Sequence, residues 1–377
     1  MWWRMTKKIL ILANYFGTVY KFRRELVEEL INKGYEVVVS VPYREEVEKI
    51  RELGAKIIET EVDRKSVNPV KDLKLYFNYR KILKQEKPDI VISYTIKPNV
   101  YGGLACRAYK VPFFANVTGL GSAYYNGGWV RKVVSILYKL GLKKAKTVFF
   151  ENIGNAETLI NDGTIKKEQA VVMNGAGVNL EQFEFCEMPD DKVTKFVFIG
   201  RIMQEKGIDE LFYAIKKIKQ EYKDKVEFGF VGWFEDNYED TVRQLEKDNY
   251  IKFYGYQDDV IPFIKESHCL ILPSYHEGMA NVLLEAASMG RALITSDIHG
   301  CKEAVVEGEN GFTCRVKDGD DLYDKVKRFV ELGFDEKKSM GARSRAHMED
   351  VFDKKKVVRE TIKVLGIISE EMSKVEK

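Results

Sequence analysis

Two carboxylates, Glu277 and Glu285, stand eight residues apart in a segment that follows an apolar run of strand length. Apolar side chains recur at helical spacing over residues 281–288, so Glu277 is predicted in a strand-to-helix loop and Glu285 about one turn inside the helix. Ligands of parallel α/β sheets bind at the carboxyl ends of strands, where amides at a helix N-terminus hold anions. The carboxylates are therefore predicted to accept hydroxyl groups while a diphosphate rests on the amides of Gly278, Met279, Ala280 and Asn281. The alternative is a pair of ordinary solvated charges.

Two cations follow a second predicted strand. Residues 196–207 read FVFIGRIMQEKG, in which the strand ends at Gly200, Arg201 follows directly and Lys206 opens an amphipathic helix. A cation at a helix N-terminus opposes the helix dipole and stabilises the helix poorly. This mismatch indicates that Arg201 and Lys206 are held for an anionic ligand.

These motifs, G-R-x4-K-G and, about seventy residues later, E-G-x6-E, resemble the donor half of the family 4 retaining glycosyltransferases. The resemblance extends over nearly the whole chain, with supporting segments at residues 8–12, 174–183, 254–260 and 296–305. The segments SYTIKPNVYGG from Ser93 and NVTGLGSAY from Asn116 resemble bacterial members of that family. Those members extend lipid-linked capsule, O-antigen or glycan precursors with N-acetylgalactosamine and related sugars.

The resemblance implies the GT-B architecture, in which two doubly wound, Rossmann-like α/β domains face a central cleft. It also implies that Glu285 binds ribose hydroxyls, that Glu277 holds a donor-sugar hydroxyl, and that transfer retains the anomeric configuration. Because the departing diphosphate gathers negative charge in the transition state, Arg201 and Lys206 are expected to stabilise it in place of a metal ion. No cofactor is expected besides the UDP-sugar substrate, and no Asp-x-Asp follows a predicted strand to carry a metal.

Three further positions are donor-site candidates. Tyr256 and Val260 lie after a predicted strand and are expected to flank the uracil. Gly17 follows the first strand, where a glycine lets the backbone approach a diphosphate closely or serves as an ordinary turn residue.

The acceptor side departs from the family pattern. Many relatives carry a histidine in the first domain near the donor sugar, whereas the four histidines here, at positions 268, 276, 299 and 347, all lie in the second predicted domain. The corresponding region, residues 93–98, reads SYTIKP. Lys97, Asn116 and Thr118 lie near predicted strand ends and are candidates to contact the acceptor phosphate or sugar. His276 is expected to have a loop or packing role.

Two domains are expected from 377 residues, because a single core rarely grows that large. Strand-length apolar runs alternate with helical patterns, which predicts parallel sheets covered on both faces. Strands are predicted at residues 9–13, 36–41, 57–59, 89–93, 113–116, 147–150 and 170–173, and then at 196–199, 226–231, 251–254, 269–272 and 292–295. The acceptor-binding domain is assigned to residues 1–184 and the donor-binding domain to residues 185–353. By resemblance, a terminal helix at about 354–373 packs back on the first domain.

Basic residues are concentrated in the first predicted domain. Residues 1–184 contain 30 Lys and Arg against 20 Asp and Glu, while the rest of the chain contains 31 against 38. Residues 124–146 mix apolar and basic side chains at helical spacing behind Tyr124 and Tyr125, which predicts contact with anionic phospholipid. The residues expected at the membrane are Trp129, Arg131, Lys132, Lys143 and Lys144. A solvated Lys-rich face is the alternative, and no nucleic-acid-binding module accompanies the charge.

Composition suggests a cytoplasmic protein that associates peripherally with the inner face of the cell membrane. No run of eighteen apolar residues is present, and the start MWWRMTKK lacks the apolar core of a signal peptide. The five cysteines are scattered without a CxxC pair, which predicts reduced thiols and no zinc site.

The sequence therefore predicts a metal-independent, retaining glycosyltransferase for cell-surface polysaccharide synthesis. It is expected to move an N-acetylhexosamine such as N-acetylgalactosamine from a UDP-sugar to a polyprenyl-diphosphate-linked glycan. A family member that uses another UDP-hexose, a UDP-sugar 2-epimerase of the same architecture and a non-catalytic nucleotide-sugar sensor remain as alternatives.

Overall fold

The computed structural model describes residues 7–63, 68–121, 124 and 128–367. The chain start considered for a signal peptide, Tyr125, and residues 368–373 of the predicted terminal helix lie outside the described residues. Contacts divide the chain into two compact units. The first runs through Ala176 and includes the chain from Lys355 onward, and the second is Gly177–Lys354. The sequence places the boundary later, after residue 184.

The described part of the first unit contains a seven-stranded parallel sheet. Its strands are β1 (Lys8–Leu12), β2 (Glu36–Val41), β3 (Lys56–Glu59), β4 (Ile90–Tyr94), β5 (Phe113–Val117), β6 (Thr147–Phe150) and β7 (Ala170–Val172). Their order is β3-β2-β1-β4-β5-β6-β7, so the direction of winding reverses between β1 and β4. Ligands of open α/β sheets bind beside such a reversal, at the carboxyl ends of the strands.

Helices cover both faces of this sheet. They are α1 (Phe16–Asn32), α2 (Glu48–Glu52), α3 (Pro69–Glu86), α4 (Gly103–Tyr109), α5 (Gly128–Leu142) and α6 (Ile153–Asn161). Alternate β1 side chains point to opposite faces: Leu10 and Leu12 join one core with α3, α4, α5 and α6, while Ile9 and Ile11 join another with α1. Both faces of the strand are therefore buried, which explains why it reads as a continuous apolar run.

The described part of the second unit contains a six-stranded parallel sheet in the order β10-β9-β8-β11-β12-β13. Its strands are β8 (Thr194–Ile199), β9 (Val226–Val231), β10 (Lys252–Phe253), β11 (Cys269–Leu272), β12 (Ala292–Ser296) and β13 (Gly311–Cys314). Its helices are α7 (Ile208–Tyr222), α8 (Glu239–Lys247), α9 (Ile261–Lys265), α10 (Asn281–Ser288), α11 (Gly319–Glu331) and α12 (Phe334–His347). The winding reverses between β8 and β11.

The predicted pair of doubly wound α/β domains is confirmed. The last helix, α13 (Lys354–Val364), returns to the first unit, where Val358 and Ile362 pack in the same core as α1. The five cysteines are free, as the sequence suggests. The sequence analysis misses β13, because the four residues GFTC give too short an alternation to be distinguished from a loop.

Candidate functional site

Both predicted donor motifs start at the winding reversal of the second sheet. The segment with Arg201 and Lys206 follows β8, and the segment with Glu277 and Glu285 follows β11. These two strands are neighbours and parallel, so their carboxyl ends meet at one edge. The topology therefore brings together two segments that are about seventy residues apart in the sequence, at the place where such sheets bind ligands.

Backbone contacts join the two segments. The amide of Tyr275 donates to the carbonyl of Glu205 over 2.9 Å. Gly207 has φ of 68°, and a Cβ there would lie 2.1 Å from the carbonyl oxygen of Pro273. Only glycine permits this approach and this left-handed backbone without strain. Gly207, the last residue of the G-R-x4-K-G motif, thus allows the loops after β8 and β11 to lie in close contact.

The side chains of Lys206 and Glu277 contact each other. The Lys206 ammonium donates to Glu277 Oε1, and Ser274 donates to the same oxygen over 2.8 Å. Both charged side chains are largely buried, with 16% and 14% of their surface exposed. Sequence reasoning missed Ser274; the available signal is a hydroxyl three residues before the glutamate, in the same loop.

Arg201 is exposed and directly follows Gly200 at the end of β8. The backbone around Gly200 is tightly constrained, because a Cβ on Gly232 would lie 1.8 Å from the Gly200 carbonyl oxygen. Arg201 therefore follows a constrained point of the backbone at the carboxyl end of β8, the strand next to β11.

The helix α10 begins at Asn281 and places Glu285 one turn inside, as the sequence predicts. Of the four residues expected to supply amides to a diphosphate, Ala280 already donates its amide to the carbonyl of Gly300 over 2.8 Å. Gly278 and Met279 are buried, and the Asn281 Oδ1 atom is buried with no hydrogen-bond partner among the described residues. The helix start thus offers a polar group that a ligand can satisfy.

Tyr256 and Val260 lie between β10 and α9. The Tyr256 ring is half exposed and meets the ring of Trp233 edge to face, with centroids 5.5 Å apart. Its hydroxyl donates to Asp258 over 2.7 Å. Trp233 follows β9 and was missed by sequence reasoning, although a tryptophan just after a strand in this type of sheet is a usable signal. Val260 is partly buried against the core of the second unit.

His276 has the loop contact expected of it, since its Nε2 lies 3.2 Å from Glu205 Oε2. Tyr275 donates its hydroxyl to the Glu210 carboxylate over 2.8 Å, and burial together with this hydrogen bond raises the pKa of Tyr275. These contacts connect the loop after β11 to the start of α7 through side chains as well as backbone.

Gly17, the candidate for close approach of the backbone to a diphosphate, lies in a helix and not in the loop turn that was its alternative reading. It lies in the first turn of α1, and its φ is outside the left-handed region. A Cβ there would lie 2.4 Å from the Tyr15 ring, so the glycine makes room for that ring.

The three acceptor candidates lie at or beyond the ends of β4 and β5, each in a different environment. Lys97 is ion-paired with Asp72 over 2.7 Å, and Tyr101 donates to the same carboxylate over 3.0 Å. Asn116 donates its amide to the Ser93 carbonyl over 3.3 Å. Thr118 directly follows β5 and is partly buried.

The five predicted membrane residues are one aromatic and four cations, all of them exposed, and Arg131 also contacts neighbouring side chains. The Trp129 side chain is 70% exposed, and Lys132, Lys143 and Lys144 are exposed. The Arg131 guanidinium lies 3.3 Å from Asp162 and 4.9 Å from the centre of the Tyr124 ring. Arg131 therefore helps to fix Tyr124, whose pKa is raised to about 12 by burial and by its hydrogen bond to Asp162.

Two kinds of feature are absent from the described residues. No helix there is long and apolar enough to cross a membrane. No group of three or more His, Cys, Asp or Glu side chains in the described part of the chain is arranged to hold a metal ion.

Comparison with known proteins gives matches over both units. The family model described as "Glycosyl transferase 4-like" matches residues 8–152, and "Glycosyl transferases group 1" matches residues 193–331. The N,N'-diacetylbacillosaminyl-diphospho-undecaprenol alpha-1,3-N-acetylgalactosaminyltransferase of Campylobacter jejuni is 32% identical over 341 residues, covering 86% of this chain and 89% of that protein. The UDP-Gal:alpha-D-GlcNAc-diphosphoundecaprenol alpha-1,3-galactosyltransferase of Escherichia coli is 28% identical over 289 residues, covering 71% and 73%.

Among solved structures, Anabaena HepE in complex with UDP and glucose is similar in fold. The TM-score is 0.78 at 16% identity, and the match covers 96% of this chain and all of that one.

Proposed function

The chain belongs to the group 1, family 4-like glycosyltransferases, and from that membership we propose that it transfers an N-acetylhexosamine to a lipid-linked glycan. The donor is a UDP-sugar such as UDP-N-acetylgalactosamine, and the acceptor is a glycan on polyprenyl diphosphate. The observation that carries the proposal is the contact between Lys206 and Glu277 at the winding reversal of the second sheet. The N-acetylgalactosaminyltransferase of Campylobacter jejuni and the galactosyltransferase of Escherichia coli supply the choice of acceptor, because both names specify a diphospho-undecaprenol-linked sugar.

In the proposed reaction, the bond between the anomeric carbon and the UDP oxygen breaks and the acceptor hydroxyl forms the new bond on the same face. Negative charge collects on the departing diphosphate, and donors positioned where charge develops stabilise the transition state most. Arg201 and Lys206 supply two of them. The departing phosphate takes the acceptor proton, and no metal ion takes part.

In this proposal Glu277 positions the donor sugar. Its Oε1 is held by Lys206 and Ser274, which orients the carboxylate for a sugar hydroxyl. Glu285, one turn inside α10, accepts the ribose hydroxyls. Tyr256 and Val260 flank the uracil, and the aromatic pair of Tyr256 and Trp233 gives that side an apolar surface.

The acceptor's lipid carrier places the reaction at a membrane, and α5 is proposed to contact anionic phospholipid there. The helix has no acidic residue, its exposed side chains include Trp129 and Lys132, and the exposed Lys143 follows directly after it. We expect the contact to weaken with salt, because ions screen the attraction between lysines and lipid phosphates.

The test is a set of parallel reactions with a polyprenyl-diphosphate-linked acceptor and one of four donors: UDP-N-acetylgalactosamine, UDP-N-acetylglucosamine, UDP-galactose or UDP-glucose. Mass spectrometry of the acceptor should show one added N-acetylhexosamine. An epimerised UDP-sugar with an unchanged acceptor would establish the 2-epimerase instead. UDP-sugar binding, seen as thermal stabilisation, with neither product would indicate a sensor.

A further inference from the structure

Helix α3 exposes an apolar stripe that its sequence pattern alone does not reveal. Val70, Leu73 and Phe77 are 78%, 56% and 53% exposed. Their spacing of three and four residues puts them on one face of the helix, and the same face continues with the exposed Lys81 and Lys84. Single exposed apolar residues are common on protein surfaces, but an aligned set marks an interaction site.

Helix α5 has an exposed face with the same spacing. Trp129, Ile136 and Leu140 are 70%, 59% and 44% exposed, the exposed Lys132 lies on the same face, and the exposed Lys143 follows directly after the helix. The two faces thus run 70, 73, 77, 81, 84 on α3 and 129, 132, 136, 140 on α5. Each combines three large apolar side chains with at least one lysine.

The two helices belong to one layer of the first unit. The buried sides of α3 (Leu75 and Tyr79) and α5 (Val134 and Tyr138) join the same core, on the sheet face opposite α1. Helix α4 contacts both. This arrangement follows from the topology, because the chain crosses to this face between β3 and β4 and stays there through β6.

The exposed charged residues of α3 and α5 are basic. The acidic residues of α3 are both paired: Asp72 is buried beside Lys97, and Glu86 contacts Lys8 over 3.0 Å and Lys56 over 2.7 Å. The exposed cations of the two helices are Lys71, Lys74, Lys81, Lys84, Arg131, Lys132 and Lys139. Three of them are paired with acidic residues outside the two helices, Lys71 with Asp63, Lys74 with Glu61 and Arg131 with Asp162. A surface that combines apolar side chains with such a charge is complementary to lipid whose headgroups are anionic.

We infer that α3 and α5 together form one docking surface for an anionic bilayer, in which α3 inserts Val70, Leu73 and Phe77 between the lipids while the lysines contact their phosphates. This inference rests on the proposed function, which supplies a lipid-linked acceptor, and it extends the membrane contact from one helix to a two-helix layer. Such a surface holds the first unit by two lines of contact, so the unit cannot roll about a single helix axis on the membrane.

The test is sedimentation of the full chain with vesicles of phosphatidylglycerol and phosphatidylcholine, and with vesicles of phosphatidylcholine alone. The apolar variant of α3 combines Val70→Ser, Leu73→Ser and Phe77→Ser. The charge variant of α3 combines Lys81→Ser and Lys84→Ser. The control variant, Val172→Ser with Val306→Ser, removes exposed apolar side chains outside the two helices. We expect the apolar variant to bind the anionic vesicles at least about tenfold more weakly, because three side chains no longer leave water. The charge variant should weaken binding about tenfold at low salt, and little at roughly 1 M salt, where charges are screened within about 3 Å. The control should bind like the unmodified protein.

Unchanged vesicle binding by both α3 variants would overturn the inference, and so would equal binding to the neutral vesicles. Should the apolar variant fail to fold, the charge variant decides, because both of its lysines are exposed. A concentration-dependent dimer in sedimentation velocity that the apolar variant abolishes would assign the stripe to a second copy of the chain. Failure of the proposed function is a different result: the unmodified protein would then leave the lipid-linked acceptor unextended whatever its vesicle binding.

Discussion

Lys206 and Glu277 are 71 residues apart in the sequence, yet the ammonium of one donates to the carboxylate of the other at the edge of the second sheet. Both side chains are mostly buried, so neither charge is fully hydrated. A buried charge that loses its partner is costly, whereas the pair as a unit is tolerated. When a donor diphosphate binds, it can share Lys206 with Glu277 and leave the carboxylate oriented by Ser274.

Replacing Lys206 with Ala should lower turnover at saturating donor by about 100-fold or more, because one donor to the departing diphosphate is lost. The measurement is the initial rate of acceptor extension under the proposed reaction conditions. Turnover equal to that of the unmodified protein would remove Lys206 from the proposed mechanism.

A double substitution separates catalysis from stability at this pair. Lys206→Ala alone leaves the Glu277 charge without its lysine, so thermal unfolding should occur at a lower temperature. Adding Glu277→Gln should restore much of that stability while activity stays low. Independent, additive effects on unfolding would contradict the contact.

Arg201→Ala should also lower turnover by about 100-fold, but with little change in unfolding, because the side chain is exposed. Arg243→Ala is a matched control: Arg243 is an arginine of the same unit whose contacts to Glu239 and Glu246 lie on the surface of α8. Comparable activity loss in the two variants would show a general charge effect in place of a specific one.

Much of the second unit is predictable from residue patterns. The apolar runs in the sequence predict the observed bounds of β9 and β11, because both runs are short, rich in residues that favour strands and followed by turn residues. The start of α10 and the position of Glu285 follow from the apolar spacing in the same way. The pairing of Lys206 with Glu277 could not be predicted from the residues alone, because it depends on the order of strands in the sheet.

Gly207→Ala should destabilise the second unit and weaken UDP binding. A Cβ would lie 2.1 Å from the Pro273 carbonyl, so the two loops must separate, at a cost on the order of 3 kcal/mol. Gly255→Ala is the control, because Gly255 has the same φ of 68° but no atom within 4 Å of the added Cβ, and only the left-handed strain of about 1–2 kcal/mol applies. Urea unfolding and UDP titration measure both effects, and equal destabilisation in the two variants would contradict the close approach of the loops.

Transfer should continue undiminished in excess EDTA, since Arg201 and Lys206 are proposed to stabilise the diphosphate. The assay compares initial rates with and without chelator after the protein has been dialysed against it. Loss of activity that magnesium or manganese restores would require a metal in the mechanism and a different task for the two cations.

The acceptor candidates illustrate what the sequence cannot settle. Lys97 reads as a cation near a strand end, but the fold brings Asp72, from α3, to 2.7 Å from it. Asn116 reads as a polar residue at the end of β5, but its side chain bonds to the neighbouring strand at Ser93. In both cases the partner is distant in sequence. The sequence alone is therefore compatible with a binding role or a structural role for Lys97 and Asn116, and only the strand order shows which partner each one meets.

His268 lies at the opposite end of β11 from Glu277 and is buried in a charged cluster. Its Nδ1 accepts from the Lys195 amide over 3.0 Å, and Asp191 lies 3.9 Å from its Nε2. Lys337 is bound to Asp191 over 3.0 Å and is itself buried. Burial lowers the pKa of His268 below its ordinary 6.5, and the nearby Lys337 and Arg291 act in the same direction while Asp191 opposes them.

This depressed pKa predicts that stability falls with pH below about 6.5. Below that pH the His268 side chain binds a proton in the unfolded chain but not in the folded one. The contribution of His268 to the free energy of unfolding is therefore complete above the unfolded pKa and is lost as pH falls toward the folded pKa. Thermal unfolding measured from about pH 7.5 to about pH 5.5 should therefore show a decline that His268→Asn reduces, because the Asn oxygen keeps the bond to the Lys195 amide and does not titrate. A decline of the same slope in the His268 variant would mean that other groups carry the acid sensitivity.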